Sequence, residues 1–156
     1  MQLTSMELHP PSSNTGFDLS DTLKIELDVL TRKVLPSAYV AIGIRNAEDQ
    51  LVYWTADLET PRYRSPVEGK NRVTCSIPPS LLTPGDYTVT AGVVMLGREP
   101  IYRNIDVRLA FEIVDHSSLL ASHGIRQPGY CATPSDWSSQ ELESNLSNDE
   151  HTIANE

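Results

Sequence analysis

Apolar and polar residues alternate along the middle of the chain with the two-residue period of β-strands. The clearest example is "TLKIELDVL", whose apolar positions are Leu23, Ile25, Leu27 and Val29. The same alternation recurs in "AYVAIGIR", "LVYWTADL", "RVTCSI", "YTVTAGVVML" and "NIDVRLAFEIVD". With a first strand near "LTSMEL", the pattern predicts about seven to eight strands joined by turns, and no comparable helix.

Strands that follow one another without intervening helices pair antiparallel and pack as two sheets. The turn "LTPGDY" places Tyr87 at the start of a late strand, where immunoglobulin-like folds have a tyrosine corner. We therefore expect its hydroxyl to bond a backbone group a few residues upstream. The predicted fold class is all-β: an immunoglobulin-like or jelly-roll-like antiparallel two-sheet β-sandwich over residues 1–137. Residues 138–156 are predicted to be an acidic, disordered tail.

The immunoglobulin strand order would place the third, fourth, sixth and seventh strands in one sheet with two unlike faces. Strand parity puts Trp54 on the inner face, together with Val40, Ile42, Val89, Val93, Val107, Leu109 and Phe111. The predicted outer face carries Tyr39, Ala41, Gly43, Arg45, Tyr53, Thr55, Thr88, Thr90, Gly92, Asp106, Arg108 and Ala110. The other sheet presents Lys24, Glu26 and Asp28, which is an ordinary solvated surface.

Charge and cysteine content narrow the classes of function. The formal net charge is −9, which disfavours a nucleic-acid binder because phosphate contacts need clustered Lys and Arg. No apolar run is long enough to span a membrane, and the N-terminus has no signal-peptide pattern. Cys75 and Cys131 are too few for a disulfide framework, so both are expected to be structural thiols in a reducing compartment.

Signals for catalysis are weak. The four histidines fall in termini and loops without metal-ligand spacing, and there is no nucleophile elbow or phosphate-binding loop. We therefore expect no catalytic residues, no metal site and no enzyme activity.

The predicted outer face is better suited to binding a ligand than to catalysis. Small floor residues flanked by Tyr and Arg describe a groove in which aromatic rings contact the C–H faces of sugars and polar groups bond hydroxyls. The predicted carbohydrate-binding residues are Tyr39, Arg45, Tyr53, Thr90 and Arg108. Two alternatives remain open: an ordinary face whose Thr residues simply favour strands, and a surface for contact with another subunit. The position of Trp137 leaves two roles open, clamping the closing segment or lining a site.

The ordered set "DTLKIELDVL", "AYVAIGIRNAEDQLVYW", "IPPSLLTPGDYTVTAGV" and "VRLAFEIVD", followed by "GIRQPGYCATPSDW", resembles the C-terminal domain of Wzt-type proteins. These are the ATPase components of ABC transporters that export lipopolysaccharide O-antigen polysaccharides. The resemblance covers about residues 2–137 and rests on pattern rather than on invariant catalytic residues.

The resemblance implies a dimeric β-sandwich that recognises a polysaccharide without catalysis, at a finished non-reducing end. ATP would be bound by a separate nucleotide-binding domain, so no cofactor is expected in this chain, which would be an isolated binding domain. The implied partners are the glycan, a second copy, and the nucleotide-binding and membrane domains of the transporter. The implied location is cytoplasmic, peripheral to the inner membrane. The rival hypothesis is a structural or adhesion module that uses the same face for protein contact.

Overall fold

The computed structural model describes residues 1–11, 16–33, 38–57, 68–78, 81–95, 102–116, 118–125, 129, 131 and 138. For residues 102–107 and 119 it describes the backbone alone. Trp137 and the acidic tail after Ser138 lie outside the described residues, so the predictions made for them remain predictions.

Within these residues the chain forms eight strands and one short helix. They are β1 (Gln2–Leu8), β2 (Phe17–Asp18), β3 (Leu23–Thr31), β4 (Ala38–Asn46), β5 (Leu51–Ala56), β6 (Gly69–Ile77), β7 (Gly85–Met95), β8 (Tyr102–Val114) and α1 (Leu119–Ser122). One sheet has the order β1-β3-β6, and the other has the order β2-β8-β7-β4-β5. The predicted two-sheet sandwich is confirmed, and β4, β5, β7 and β8 share one sheet as the strand order predicted.

The short strand β2 was not predicted. It pairs in parallel with the end of β8, through Phe17 and Ile113. Two residues are too few to show a period, so the alternation of side chains carries no signal for this strand. The Asp18 carboxylate accepts a hydrogen bond from the backbone N–H of His116 at 3.1 Å, which ties β2 to the segment after β8.

The core lies between the two sheets and follows the alternation of β3 and β7. Along β3 the buried residues are Leu23, Ile25, Leu27 and Val29, none more than 4% exposed. Facing them from the larger sheet are the buried residues Val40, Ile42, Ile44 and Val89. Complete burial of each such side chain contributes about 1.5–3 kcal/mol to folding, so β3, β4 and β7 supply much of the hydrophobic free energy.

The tyrosine corner is confirmed. Tyr87 is 5% exposed, and its hydroxyl donates a hydrogen bond of 2.8 Å to the backbone carbonyl of Thr83. Its ring stacks on Phe111 with 5.7 Å between centroids. The bond fixes the turn before β7, and with it the register at which β7 enters the sheet.

The solvent face of the smaller sheet carries the predicted charged residues, and ion pairs join them. Arg72 contacts both oxygens of Asp28, at 2.8 Å from Nε and 3.0 Å from Nη2, and also reaches Glu26 at 3.4 Å. Lys24 contacts Glu26 at 3.1 Å. Cys75 lies half-buried on the inner side of β6, where burial raises the pKa of its thiol, so it behaves as a small apolar residue.

The prediction of which β5 side chains face the core is wrong. Between β4 and β5 the register shifts by one residue: Leu51 pairs with Arg45, but Tyr53 pairs with Ile44, which leaves Val52 as the extra residue of a β-bulge. After such a bulge, every side chain points to the opposite face from that expected. Tyr53 and Thr55 therefore lie on the inner face. Trp54, predicted to be in the core, lies on the outer face and is 49% exposed.

Candidate binding face

The outer face of the larger sheet is organised around one row of four paired residues. Arg108 of β8 pairs with Thr90 of β7, Thr90 pairs with Gly43 of β4, and Gly43 pairs with Trp54 of β5. Residues paired across neighbouring strands point to the same face, so these four form a continuous row that we call the central row. At about 4.8 Å between strands, its ends are about 14 Å apart.

At the middle of the central row, Gly43 carries no side chain and is buried under the side chain of Leu51. A Cβ placed on Gly43 would lie 3.0 Å from Cδ1 of Leu51 and 3.4 Å from Oγ1 of Thr90. Leu51 belongs to β5 and leans over the glycine from the neighbouring row. The hydroxyl of Thr90 donates to the carbonyl of Gly43 at 3.2 Å, so its oxygen keeps capacity to accept a hydrogen bond.

The two ends of the central row differ in chemistry. Trp54 presents an exposed indole at one end, and Leu51 beside it is 51% exposed. Arg108 lies at the other end with 48% of its side chain exposed. The row thus joins an aromatic platform, a threonine hydroxyl beside the buried glycine, and a cationic donor.

A turn between β4 and β5 brings an acidic side chain to the cationic end. Asp49 has a positive φ of 58°, which Asp tolerates better than most residues, and its N–H donates to the carbonyl of Asn46 at 3.0 Å. Its Oδ1 lies 3.5 Å from Nη1 of Arg108 and 3.9 Å from Nε of Arg45. A further bond runs from Nη1 of Arg45 to the backbone carbonyl of Asp49. One carboxylate therefore lies between two guanidinium groups.

A shallow depression of about 570 Å³ adjoins these groups. Its polar lining includes Asn46, Asp49, Asp86, Thr88 and Arg108. The volume lies within the range typical of sites for small ligands.

The structure brings together three of the five predicted site residues. Arg45, Thr90 and Arg108 lie on the outer face within two adjacent rows. Tyr39 shares this face, but it lies six residues along β4 from Arg45, about 20 Å away. Tyr53 does not share it: its side chain lines a separate cleft of about 420 Å³ between the edges of β5 and β6.

Sequence reasoning missed Trp54, Leu51 and Asp49. Trp54 was assigned to the core by strand parity, which the bulge at Val52 inverts for the residues after it. Leu51 precedes the bulge and was not named, although parity places it on the outer face. Asp49 lies in the polar turn "NAEDQ", where a solvated carboxylate is the ordinary interpretation. The signal for its role is the positive φ and the pair of arginines, and both require coordinates.

Another depression, of about 630 Å³, lies where β1 faces β8. Its lining includes the apolar residues Met6, Leu8, Phe17 and Phe111 and the polar residues Glu7, His9 and Glu112. Among the described residues, this lining has no Trp, Tyr, Arg or Lys, so the central row is the better candidate for a sugar. In the part of the chain that the structure describes, no three His, Cys, Asp or Glu side chains are placed to hold a metal ion. Among the same residues, no helix is long and apolar enough to cross a bilayer.

Comparison with known proteins gives one consistent answer. The family model of the Wzt C-terminal domain matches residues 5–127. A solved structure described as the crystal structure of the C-terminal domain of wzt superposes with a TM-score of 0.56 at 16% sequence identity, covering 80% of this chain and 74% of that chain. No curated protein sequence matches this chain.

Proposed function

The chain belongs to the Wzt C-terminal domain family, and we propose that it binds a glycan on the central row and its surroundings. In this role it is the non-catalytic recognition module of an ABC transporter that exports lipopolysaccharide O antigen. The observation that carries the proposal is the position of Trp54. An exposed indole shares one row with a glycine, a threonine hydroxyl and an arginine.

Each part of the row fits one part of a sugar. The C–H face of a pyranose packs on an aromatic ring such as that of Trp54. The hydroxyl of Thr90 and the guanidinium of Arg108 supply hydrogen bonds to hydroxyl groups. A row about 14 Å long accommodates a short oligosaccharide, such as the non-reducing end of a longer chain.

The remaining parts of the proposal follow from the family and its transporter. The partners are the polysaccharide, a second copy of the chain, and the nucleotide-binding and membrane domains. ATP is bound by the nucleotide-binding domain and not by this chain. The domain works at the cytoplasmic side of the inner membrane, held there by the transporter.

The direct test is calorimetric titration with O polysaccharide purified from the strain that encodes the chain. We expect Trp54→Ala to weaken binding at least tenfold, because the stacking surface is removed, and Trp54→Phe to retain much of it. Tyr53→Phe is the matched control, since this aromatic residue of the same strand lies on the inner face. Binding by Trp54→Ala and Arg108→Ala that equals wild type would show that the glycan is recognised elsewhere.

A second candidate function is protein contact through the same face. It is favoured by the two exposed apolar side chains of Leu51 and Trp54 on β5, which is an edge strand of its sheet. Sedimentation velocity separates the two. If Trp54→Ala dissociates an oligomer and leaves polysaccharide binding intact, the face serves assembly.

A further inference from the structure

We propose that Asp49 and Arg108 form a paired acceptor and donor that selects uncharged sugar residues bearing adjacent hydroxyl groups. The inference rests on the proposed glycan-binding function and names the class of glycan that the site takes. It assigns a binding role to Asp49, which neither the sequence pattern nor the family indicates.

The turn holds Asp49 in a fixed position. Its N–H bonds the carbonyl of Asn46, and the side chain of Asn46 in turn accepts a bond from the N–H of Gln50 at 2.8 Å. The amide of Asn46 also donates to the side chain of Gln50 at 3.0 Å. The turn is therefore built before any ligand arrives, and its tip carries the carboxylate to the edge of the depression.

The pair keeps free hydrogen-bonding capacity. Within the described ranges, the ion pairs of the Asp49 carboxylate run through Oδ1, and no hydrogen bond reaches Oδ2. Across the same ranges, Arg108 uses Nη1 for Asp49 and makes no hydrogen bond through Nε or Nη2. The side chains of Asp49 and Arg108 are 65% and 48% exposed, so both are accessible to a ligand.

A hydroxyl group both donates and accepts, whereas a carboxylate only accepts and a guanidinium only donates. Asp49 and Arg108 together satisfy both roles, either for one hydroxyl or for two adjacent ones. Both bonds are charge-assisted and hence stronger than neutral ones.

The same carboxylate excludes anionic sugars. A uronate or phosphate group would accept from Arg108 but would be repelled by Asp49 and by Asp86, which lines the same depression. Arg45 and Arg108 alone would attract such a group. Asp49 therefore decides whether the site prefers neutral or anionic sugars.

The test is binding of the whole chain to an array of neutral manno-, gluco- and galacto-oligosaccharides and of oligosaccharides carrying uronate or phosphate. The variant is Asp49→Asn, because Asn also tolerates a positive φ and so preserves the turn. The matched control is Glu48→Gln, which removes one negative charge from the neighbouring exposed position of the same turn. Thermal unfolding of each variant checks that the fold is retained.

We expect the wild type to prefer neutral probes and Asp49→Asn to bind them at least tenfold more weakly. The same variant should bind anionic probes at least threefold more tightly than wild type, and Glu48→Gln should change either affinity less than twofold. Preference of the wild type for anionic probes, or unchanged neutral binding by Asp49→Asn, overturns this inference and leaves the proposed function standing. A wild type that binds neither kind of probe overturns the proposed function itself.

Discussion

Gly43 shows how the absence of one side chain shapes the candidate site. It lies between Thr90 and Trp54 in the central row, and the side chain of Leu51 fills the space where its Cβ would be. A larger residue at this position would push the side chain of Leu51 outward, at the point where a sugar ring must pass between the indole and the arginine. The glycine therefore serves the site as much as the sheet.

We expect Gly43→Ala to weaken glycan binding about tenfold while changing the free energy of unfolding by less than about 1 kcal/mol. Replacing Gly by Ala in a strand stabilises by about 0.4–1 kcal/mol through the unfolded chain. The clash at 3.0 Å offsets this gain, because it involves the flexible end of Leu51, which can move into solvent. Urea unfolding and titration with the O polysaccharide measure the two effects.

The double variant Gly43→Ala/Leu51→Ala relieves the crowding and serves as the control. The changes in the free energy of unfolding caused by the two substitutions should be non-additive in a double-mutant cycle. A loss of more than about 3 kcal/mol in Gly43→Ala, of the size seen for overpacked cores, would mean that Leu51 cannot move.

At the scale of elements, strands with long regular alternation were predictable and irregular ones were not. The pattern of β3 locates four core residues, because β3 itself is regular and pairs with β6 in one register along its whole length. The irregularity on its other side lies in β1, between Leu3 and Ser5. In β5 the alternation is equally clear, but the one-residue bulge at Val52 turns the side chains after it to the faces opposite to those predicted. The bulge lies next to the hydrogen-bonded turn from Asn46 to Gln50 and to the packing of Leu51 on Gly43. Neither contact leaves a periodic pattern in the sequence.

The ion-paired carboxylates of β3 are expected to make the stability of the fold depend on pH. The pKa of Glu26 is lowered, first by its hydrogen bond with Lys24, and the pKa of Asp28 is lowered, first by its hydrogen bond with Arg72. A carboxyl whose pKa is lower in the folded state stabilises the fold above its unfolded pKa. This stability is lost as the pH falls through the folded value. We therefore expect the unfolding midpoint to fall as the pH drops below about 4.5, the ordinary pKa of a Glu side chain.

The double variant Glu26→Gln/Asp28→Asn isolates this effect. Its stability at neutral pH should be lower than that of wild type, and its decline in acid should be shallower. Thermal unfolding across the acid range measures both. Equal slopes for the variant and the wild type would place the acid sensitivity in other carboxyl groups.

At the scale of the whole molecule, the two sheets turn unlike surfaces to solvent. On the smaller sheet, Arg72 is paired with Asp28 and Glu26 of the neighbouring strand. On the larger sheet, Arg108 reaches Asp49 at a looser 3.5 Å and keeps donors for a ligand. One face is closed on itself by ion pairs and the other is open for binding. The sandwich core between them separates the two functions.

Two exposed arginines on opposite sheets provide a matched test of this division. We expect Arg108→Ala to weaken polysaccharide binding about tenfold with little effect on the unfolding midpoint. We expect Arg72→Ala to lower the midpoint and to leave binding within twofold, because its partners lie on the far face. If Arg72→Ala also weakens binding, the two faces are coupled through the core or the ligand wraps around the edge of the sandwich.

The bulge at Val52 also has an evolutionary consequence. Loss of the bulge at unchanged chain length would set Val52 opposite Ile44 and Tyr53 opposite Gly43, which exchanges the two faces of β5 and brings Tyr53 outward in place of Trp54. Deletion of Val52 itself would instead leave Trp54 paired with Gly43 and both faces unchanged. A register shift of one residue is thus a short mutational route to a new ligand on an unchanged scaffold, whereas substitutions on the present register would need several simultaneous changes. In an alignment that ignores the bulge, each column of β5 would compare a residue that faces the ligand with one that faces the core.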